Sequence, residues 1–175
     1  MAKRRASRGS GARRLLVDTM VIIDCHERGF WKAVCNRFEV ETVEMCVNEC
    51  LRGANLEQDR PIEREELLAD LSQAPHSVTE VMRAALSQKA PGILLDPGER
   101  DLLAYAITQN TATFILCGPD NALVRAAVYT SIHGSLVSLE HVLHQSGVRP
   151  PQDLDEKNTA AWLTRSRTKF LLELR

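Results

Sequence analysis

Four separated carboxylates stand where an apolar stretch gives way to a helical one, and that placement admits few folds. The patches read Leu15-Leu16-Val17-Asp18-Thr19, Val47-Asn48-Glu49-Cys50, Pro97-Gly98-Glu99-Arg100-Asp101 and Phe114-Ile115-Leu116-Cys117-Gly118-Pro119-Asp120. In an open parallel sheet the carboxyl ends of the strands face one crevice, where residues distant in sequence meet. Acids gathered there cannot neutralise one another. They call for a cation, and oxygen-only ligands select hard divalent ions such as magnesium or manganese. The pattern points to a metal-dependent phosphodiester hydrolase.

Apolar periodicity around these patches alternates between strand and helix, which argues an α/β fold. Strands are expected at 15–17, 38–43, 113–117 and 135–137, and helices at 21–27, 31–36, 44–52, 98–109, 121–129 and 139–144. A further helix at 61–71 starts on Pro61, a residue suited to a first helical turn. Residues 77–81 read either as a third strand or as the start of a helix reaching 88. Pro150-Pro151 breaks the chain, and 160–174 then reads as a helix carrying Arg165, Arg167 and Lys169. No internal repeat is present.

The order and surroundings of the acids resemble the PIN domain family, whose members are mostly ribonucleases. The first motif is a hydrophobic strand ending in Asp18-Thr19, and a second acid, Glu49, follows in a helix after the second strand. Asp96-Pro97-Gly98-Glu99-Arg100-Asp101 opens an alanine-bearing helix like that of many members, and Asp120 leads the helix after the next strand. The likeness covers about residues 15–146. It implies a three-layer α/β/α sandwich with a central parallel sheet over 15–148, between an arm at 1–14 and a C-terminal extension at 149–175.

The same resemblance implies an endoribonuclease hydrolysing single-stranded or structured RNA. Asp18, Glu49, Asp101 and Asp120 would be catalytic and, with Glu99, would hold one or two Mg2+ or Mn2+ ions. Thr19 would hydrogen-bond a ligating carboxylate, and the start of the Asn121 helix would receive a phosphate. It further implies a homodimer, with Trp31 and Trp162 near candidate faces. An alternative is a degenerate module that binds RNA or protein without cleaving. Another is the toxin of a toxin–antitoxin pair, held by an inhibitor protein. Met20 stands where many members carry Asn or Ser, and Cys117-Gly118-Pro119 replaces a hydroxyl-and-amide stretch before the fourth acid.

Each acid also has a purely structural reading. Asp18 and Asp120 suit helix N-caps, Glu49 could be a surface helix residue, and Asp96-Pro97-Gly98-Glu99 reads as a capping box. Asp101 follows Glu99 by two positions, roughly 200° around a regular helix, so both reach one ion only if the helix start is irregular. Asp24 fits an outward salt-bridging role. His141 and His144 have no third partner at zinc spacing, and Cys25, Cys35, Cys46, Cys50 and Cys117 form no CxxC pair. Reduced, buried thiols are the simpler reading.

Charge is unevenly spread. Lys3, Arg4, Arg5, Arg8, Arg13 and Arg14 lie in the first 14 residues without an acid, which leaves 16 of the 22 bases against 23 acids in the rest. Such a flexible basic arm suits contact with RNA phosphates, above all through Arg4, Arg5, Arg13 and Arg14. No apolar run approaches the roughly 18 residues of a membrane span, and no apolar signal core follows the basic start. A cytoplasmic protein is expected.

Overall fold

The computed structural model describes residues 13–57, 62–109 and 113–174, with the side chains of 53–57 left aside. Most of the basic arm, including Arg4 and Arg5, lies outside the described residues. The chain runs β1 (Arg14–Val17), α1 (Thr19–Glu27), α2 (Trp31–Arg37), β2 (Glu39–Glu41), α3 (Glu44–Glu57), α4 (Arg64–Asp70), α5 (Glu80–Lys89), α6 (Pro97–Ala106), β3 (Phe114–Cys117), α7 (Asn121–Tyr129), α8 (Leu139–Gln145) and α9 (Ala160–Glu173). Short 3-10 turns lie at His133–Ser135 and Glu156–Asn158. No described helix is long and apolar enough to cross a membrane.

The strands form an open, all-parallel sheet in the order β2-β1-β3, with Leu15 paired to both Val40 and Ile115. Side-chain alternation divides the core between the two faces. Leu15, Val17, Ile115 and Cys117 pack with α1, α2 and α8, whereas Leu16, Phe114 and Leu116 pack with α6, α7 and α9. Near-continuous apolar strands are what a sheet covered on both sides requires. The described fold is therefore α/β, with helices on either face of a parallel sheet.

One expected strand needs correction, and one open reading is resolved. The strand expected at 135–137 is a single parallel bridge, Leu136 to Leu116, with Val137 N–H donating to the Leu116 carbonyl at 2.9 Å. It is squeezed between the turn at His133–Ser135 and Ser138, which already caps α8 through His141 N–H. At 77–81 the helical alternative holds: α5 is capped by Thr79, and only the preceding His76 bridges, to Val43. The bonds from Ser72 N–H to Val40 and from His76 N–H to Thr42 cover the outer edge of β2. Trp31, expected near a dimer face, stacks on His26 at 4.9 Å and is buried inside the chain. It offers no surface to a partner. All five cysteines are free and buried.

Candidate functional site

Asp18 is the first residue beyond β1. Its backbone N–H donates to the Cys117 carbonyl at 3.1 Å, so the β1–β3 ladder carries it to the carboxyl end of the sheet, and α1 starts on the next residue. Thr42 Oγ1 donates to the Val17 carbonyl at 2.8 Å and ties the end of β2 to the same place. Asp120 arrives from β3 and caps α7, with Oδ1 accepting from Ala122 N–H at 2.6 Å. Between them Gly118 allows a close approach: a Cβ there would lie 2.5 Å from Leu123 Cδ1 and 3.3 Å from Asp18 Cβ. The Cys117-Gly118-Pro119 stretch therefore serves packing at this corner.

Glu49 comes from α3 and Glu99 from the first turn of α6. Thr19 Oγ1 donates to Glu49 Oε2 at 2.6 Å, and Gly98 N–H donates to Glu49 Oε1 at 2.8 Å. A Cβ on Gly98 would stand 2.3 Å from Glu49 Oε2, so only glycine lets α6 seat on that carboxylate. Glu99 Oε2 accepts from Asp96 N–H at 3.3 Å, the return half of the expected capping box. Asp18, Glu99 and Asp120 then line a cleft of about 290 Å³ with Asp24, Asp96 and Met20.

Burial beside other acids raises the proton affinity of Asp18 and Glu99. Asp18 is pushed up to about 6, first by loss of solvent and then by the charges of Glu49 and Asp120, against the pull of the Thr19 and Met20 amides. Glu99 rises to about 8 through burial and the charges of Asp120 and Asp18. Cys46 Sγ lies 4.0 Å from Asp18 Oδ1, and burial keeps that thiol protonated.

Asp101 takes no part in this cleft, contrary to its expected place in the ligand set. Arg83 from α5 grips it with two parallel bonds, Nε to Oδ1 at 2.8 Å and Nη2 to Oδ2 at 2.7 Å, and Arg100 adds a third at 3.2 Å. Burial would raise its pKa, but these arginines hold it below the usual range. The regular start of α6 thus separates Glu99 from Asp101. Arg14, expected on RNA, is likewise engaged: it forks onto Glu41 at 2.7 and 2.9 Å and reaches Tyr105 and Gln109. Arg13 is exposed, and Asn121 is exposed at the first turn of α7.

Several cleft residues had no local signal in the sequence. Asp24 is not an outward ion-pair residue; it accepts from Asn158 Nδ2 at 2.8 Å. Asn158, Lys157 and Asp155 reach the cleft from the C-terminal segment. That segment is held by Arg28 bonding Asp153 at 3.2 Å and by α9 packing Leu163 and Phe170 beside α7. His141 and His144 stay exposed on α8.

The cleft can concentrate negative charge and hold a proton or a cation between carboxylates. Among the described residues, no group of three or more His, Cys, Asp or Glu side chains stands ready to hold one metal ion. Local bonds account for this: Glu49 spends both oxygens on Thr19 and Gly98, and Asp120 and Glu99 each spend one on a helix cap. No family model, curated protein or solved structure matches the chain, so its chemistry rests on these residues.

Proposed function

We propose that the chain is a metal-dependent endoribonuclease of PIN type. The observation that carries this reading is the convergence of Asp18, Glu99 and Asp120, from three separate elements, on one cleft at the carboxyl end of a parallel sheet, with Asp18 and Glu99 driven to high proton affinity. Buried carboxylates that repel one another are costly to a fold, and a hard divalent cation relieves that cost. The donors are all oxygens, the type a hard divalent ion takes, and they would have to close in to share one, since no three of the described acids stand ready to do so. Asp120 and Glu99 each keep one oxygen outside their caps, and Asp18 lines the same cleft. These three would hold Mg2+ or Mn2+, which supplies activation of water and neutralisation of charge building on phosphorus.

The remaining residues orient and exclude. Thr19 and Gly98 lock Glu49 behind the cleft, where its charge raises the basicity of Asp18. The N–H groups at the start of α7 other than that of Ala122, which Asp120 takes, would receive an incoming phosphate. Asp101, neutralised by Arg83, contributes to holding α6 against α5 and not to the reaction.

A non-catalytic RNA-binding module is the second reading, favoured by the lack of a ready-made ligand group among the described residues. Labelled single-stranded RNA incubated with Mn2+, Mg2+ or chelator separates the two. Cleavage is expected only with metal, and Asp18→Asn should lower it roughly 100-fold or more, the scale of one catalytic group. No cleavage with either metal, or cleavage equal in Asp18→Asn, would remove the nuclease reading.

A further inference from the structure

We propose that Arg28 is a phosphate contact at the far end of the cleft and that Asp153 occupies it until RNA arrives. The acidic C-terminal segment thereby competes with the substrate strand. This rests on the ribonuclease reading for its substrate and adds a contact outside the carboxylate group.

The cleft follows α1. Met20, Asp24 and Arg28 are spaced four positions apart and all line it, so it extends along the helix for about 12 Å, from the turn after Asp18 to the C-cap at Arg28. Six of its described lining residues are acids, Asp18, Asp24, Asp96, Glu99, Asp120 and Asp155, and two are cations, Arg28 and Lys157. A polyanion entering among so many acids depends on the few cations present. The planar guanidinium of Arg28 suits the task, because it can meet two phosphate oxygens at once.

An acid of the chain already holds Arg28. Nη1 donates to Asp153 Oδ1 at 3.2 Å, and Nη2 donates to the Asp153 carbonyl at 3.5 Å. Asp153 belongs with Asp155 and Glu156 to an acidic run that reaches the cleft wall at Asp155. The Asp153 side chain is 79% exposed and that of Arg28 is 32% exposed. An exposed ion pair of this kind contributes little to stability. Arg28 can therefore trade the carboxylate for a phosphate without cost to the fold. The segment keeps other anchors when Asp153 lets go: Asn158 Nδ2 donates to Asp24 Oδ2, and Ala160 N–H donates to Glu140 Oε2, both at 2.8 Å.

The test titrates a fluorescent single-stranded RNA by anisotropy over a range of KCl with Mn2+ present, using the full chain with Asp18→Asn to prevent cleavage. Arg28→Gln should weaken binding roughly fivefold and flatten the slope of log Kd against log salt by about 0.7, the value for one phosphate contact on a single strand. Asp153→Asn should tighten binding roughly threefold, the scale of an exposed ion pair removed from competition. In the Arg28→Gln background it should have no effect. Glu156→Gln removes the same charge from the same segment but frees Arg165 instead, and should change binding less than Asp153→Asn. Should Arg28→Gln fail to fold, Asp153→Asn and Glu156→Gln carry the test together, since both side chains are largely exposed. The contact is overturned by an absence of RNA binding, by an unchanged salt slope in Arg28→Gln, or by weaker or unchanged binding in Asp153→Asn. Equal tightening in Glu156→Gln, or tightening by Asp153→Asn that persists in the Arg28→Gln background, overturns it too and means that Asp153 acts only through the general negative field. Failure of the parent reading looks different: the opposite effects of Arg28→Gln and Asp153→Asn on binding then hold, but the wild-type chain cleaves no RNA with Mn2+.

Discussion

Asp18 and Glu41 close neighbouring strands and are almost equally buried, 3% and 2% exposed, yet their carboxylates behave in opposite ways. Burial raises both. At Glu41 the bonds from Arg14 and His76 outweigh it and hold the group at about 2. His76 Nε2 stands 2.8 Å from Glu41 Oε2, and its ring stacks on Tyr105 at 3.9 Å. At Asp18 the nearest charges are other acids, and the group rises to about 6. The difference teaches that burial alone does not set the charge of a carboxylate; the partner does. A compensated acid holds the fold together, and an uncompensated one leaves a demand for a ligand.

The largest effect should come from breaking the compensated region. Glu41→Ala leaves the Arg14 guanidinium partly buried without its partner and should cost about 3 kcal/mol, the low end for a buried pair that loses one member. Urea unfolding measures it. Asp18→Asn, tested in chelator, should move the midpoint upward instead. A fall of similar size in both variants would erase the contrast between the two regions.

Within α6 the same comparison can be made two residues apart. Asp101→Asn weakens the two-point grip of Arg83 and should cost about 1–2 kcal/mol. Glu99→Gln, measured in chelator above the value of about 8 at which Glu99 ionises, should stabilise the chain relative to wild type. Destabilisation by Glu99→Gln there would mean that its cap to Asp96 outweighs the repulsion from Asp18 and Asp120.

The slope of stability with pH in chelator tests the same contrast without a substitution. Asp18 and Glu99 ionise near 4 in the unfolded chain, but at about 6 and about 8 when folded. Between those limits the folded state holds protons that the unfolded chain has released, so stability should fall as pH rises, by at most about 1.4 kcal/mol per unit for each group. Glu41 has the opposite sign: its contribution is present above about 4.5 and is lost as pH falls through about 2. Thermal melts across pH check both limbs. Asp18→Asn with Glu99→Gln should flatten the neutral limb alone, and saturating Mn2+ should do the same. A neutral limb that rises in wild type would contradict the repulsion.

Short buried strands followed by caps were legible because each is a local matter. Leu15 to Val17 is too apolar for anything but a covered strand, Asp18 and Asp120 are good cap residues, and Asp96-Pro97 starts a helix by proline geometry. The last strand was misread because apolar composition at 135–137 says nothing about how many residues the neighbouring turn and cap consume. Trp31 looked equally suited to an interface and a core, since an aromatic ring buries area in either.

By itself, then, the sequence determined an α/β chain with acids at strand ends, because strand periodicity and capping depend on residues within a few positions of one another. It also set the choice between Glu99 and Asp101, since roughly 200° of helix keeps them apart. Which one faces the cleft was decided only in three dimensions, where Arg83, 18 positions away, took Asp101. The same holds for Asn158, 134 positions from its partner Asp24, and for Lys157 at the cleft wall. Such charges meet through packing of whole helices on a sheet, and no local pattern records which carboxylate will find an arginine and which will find only another carboxylate.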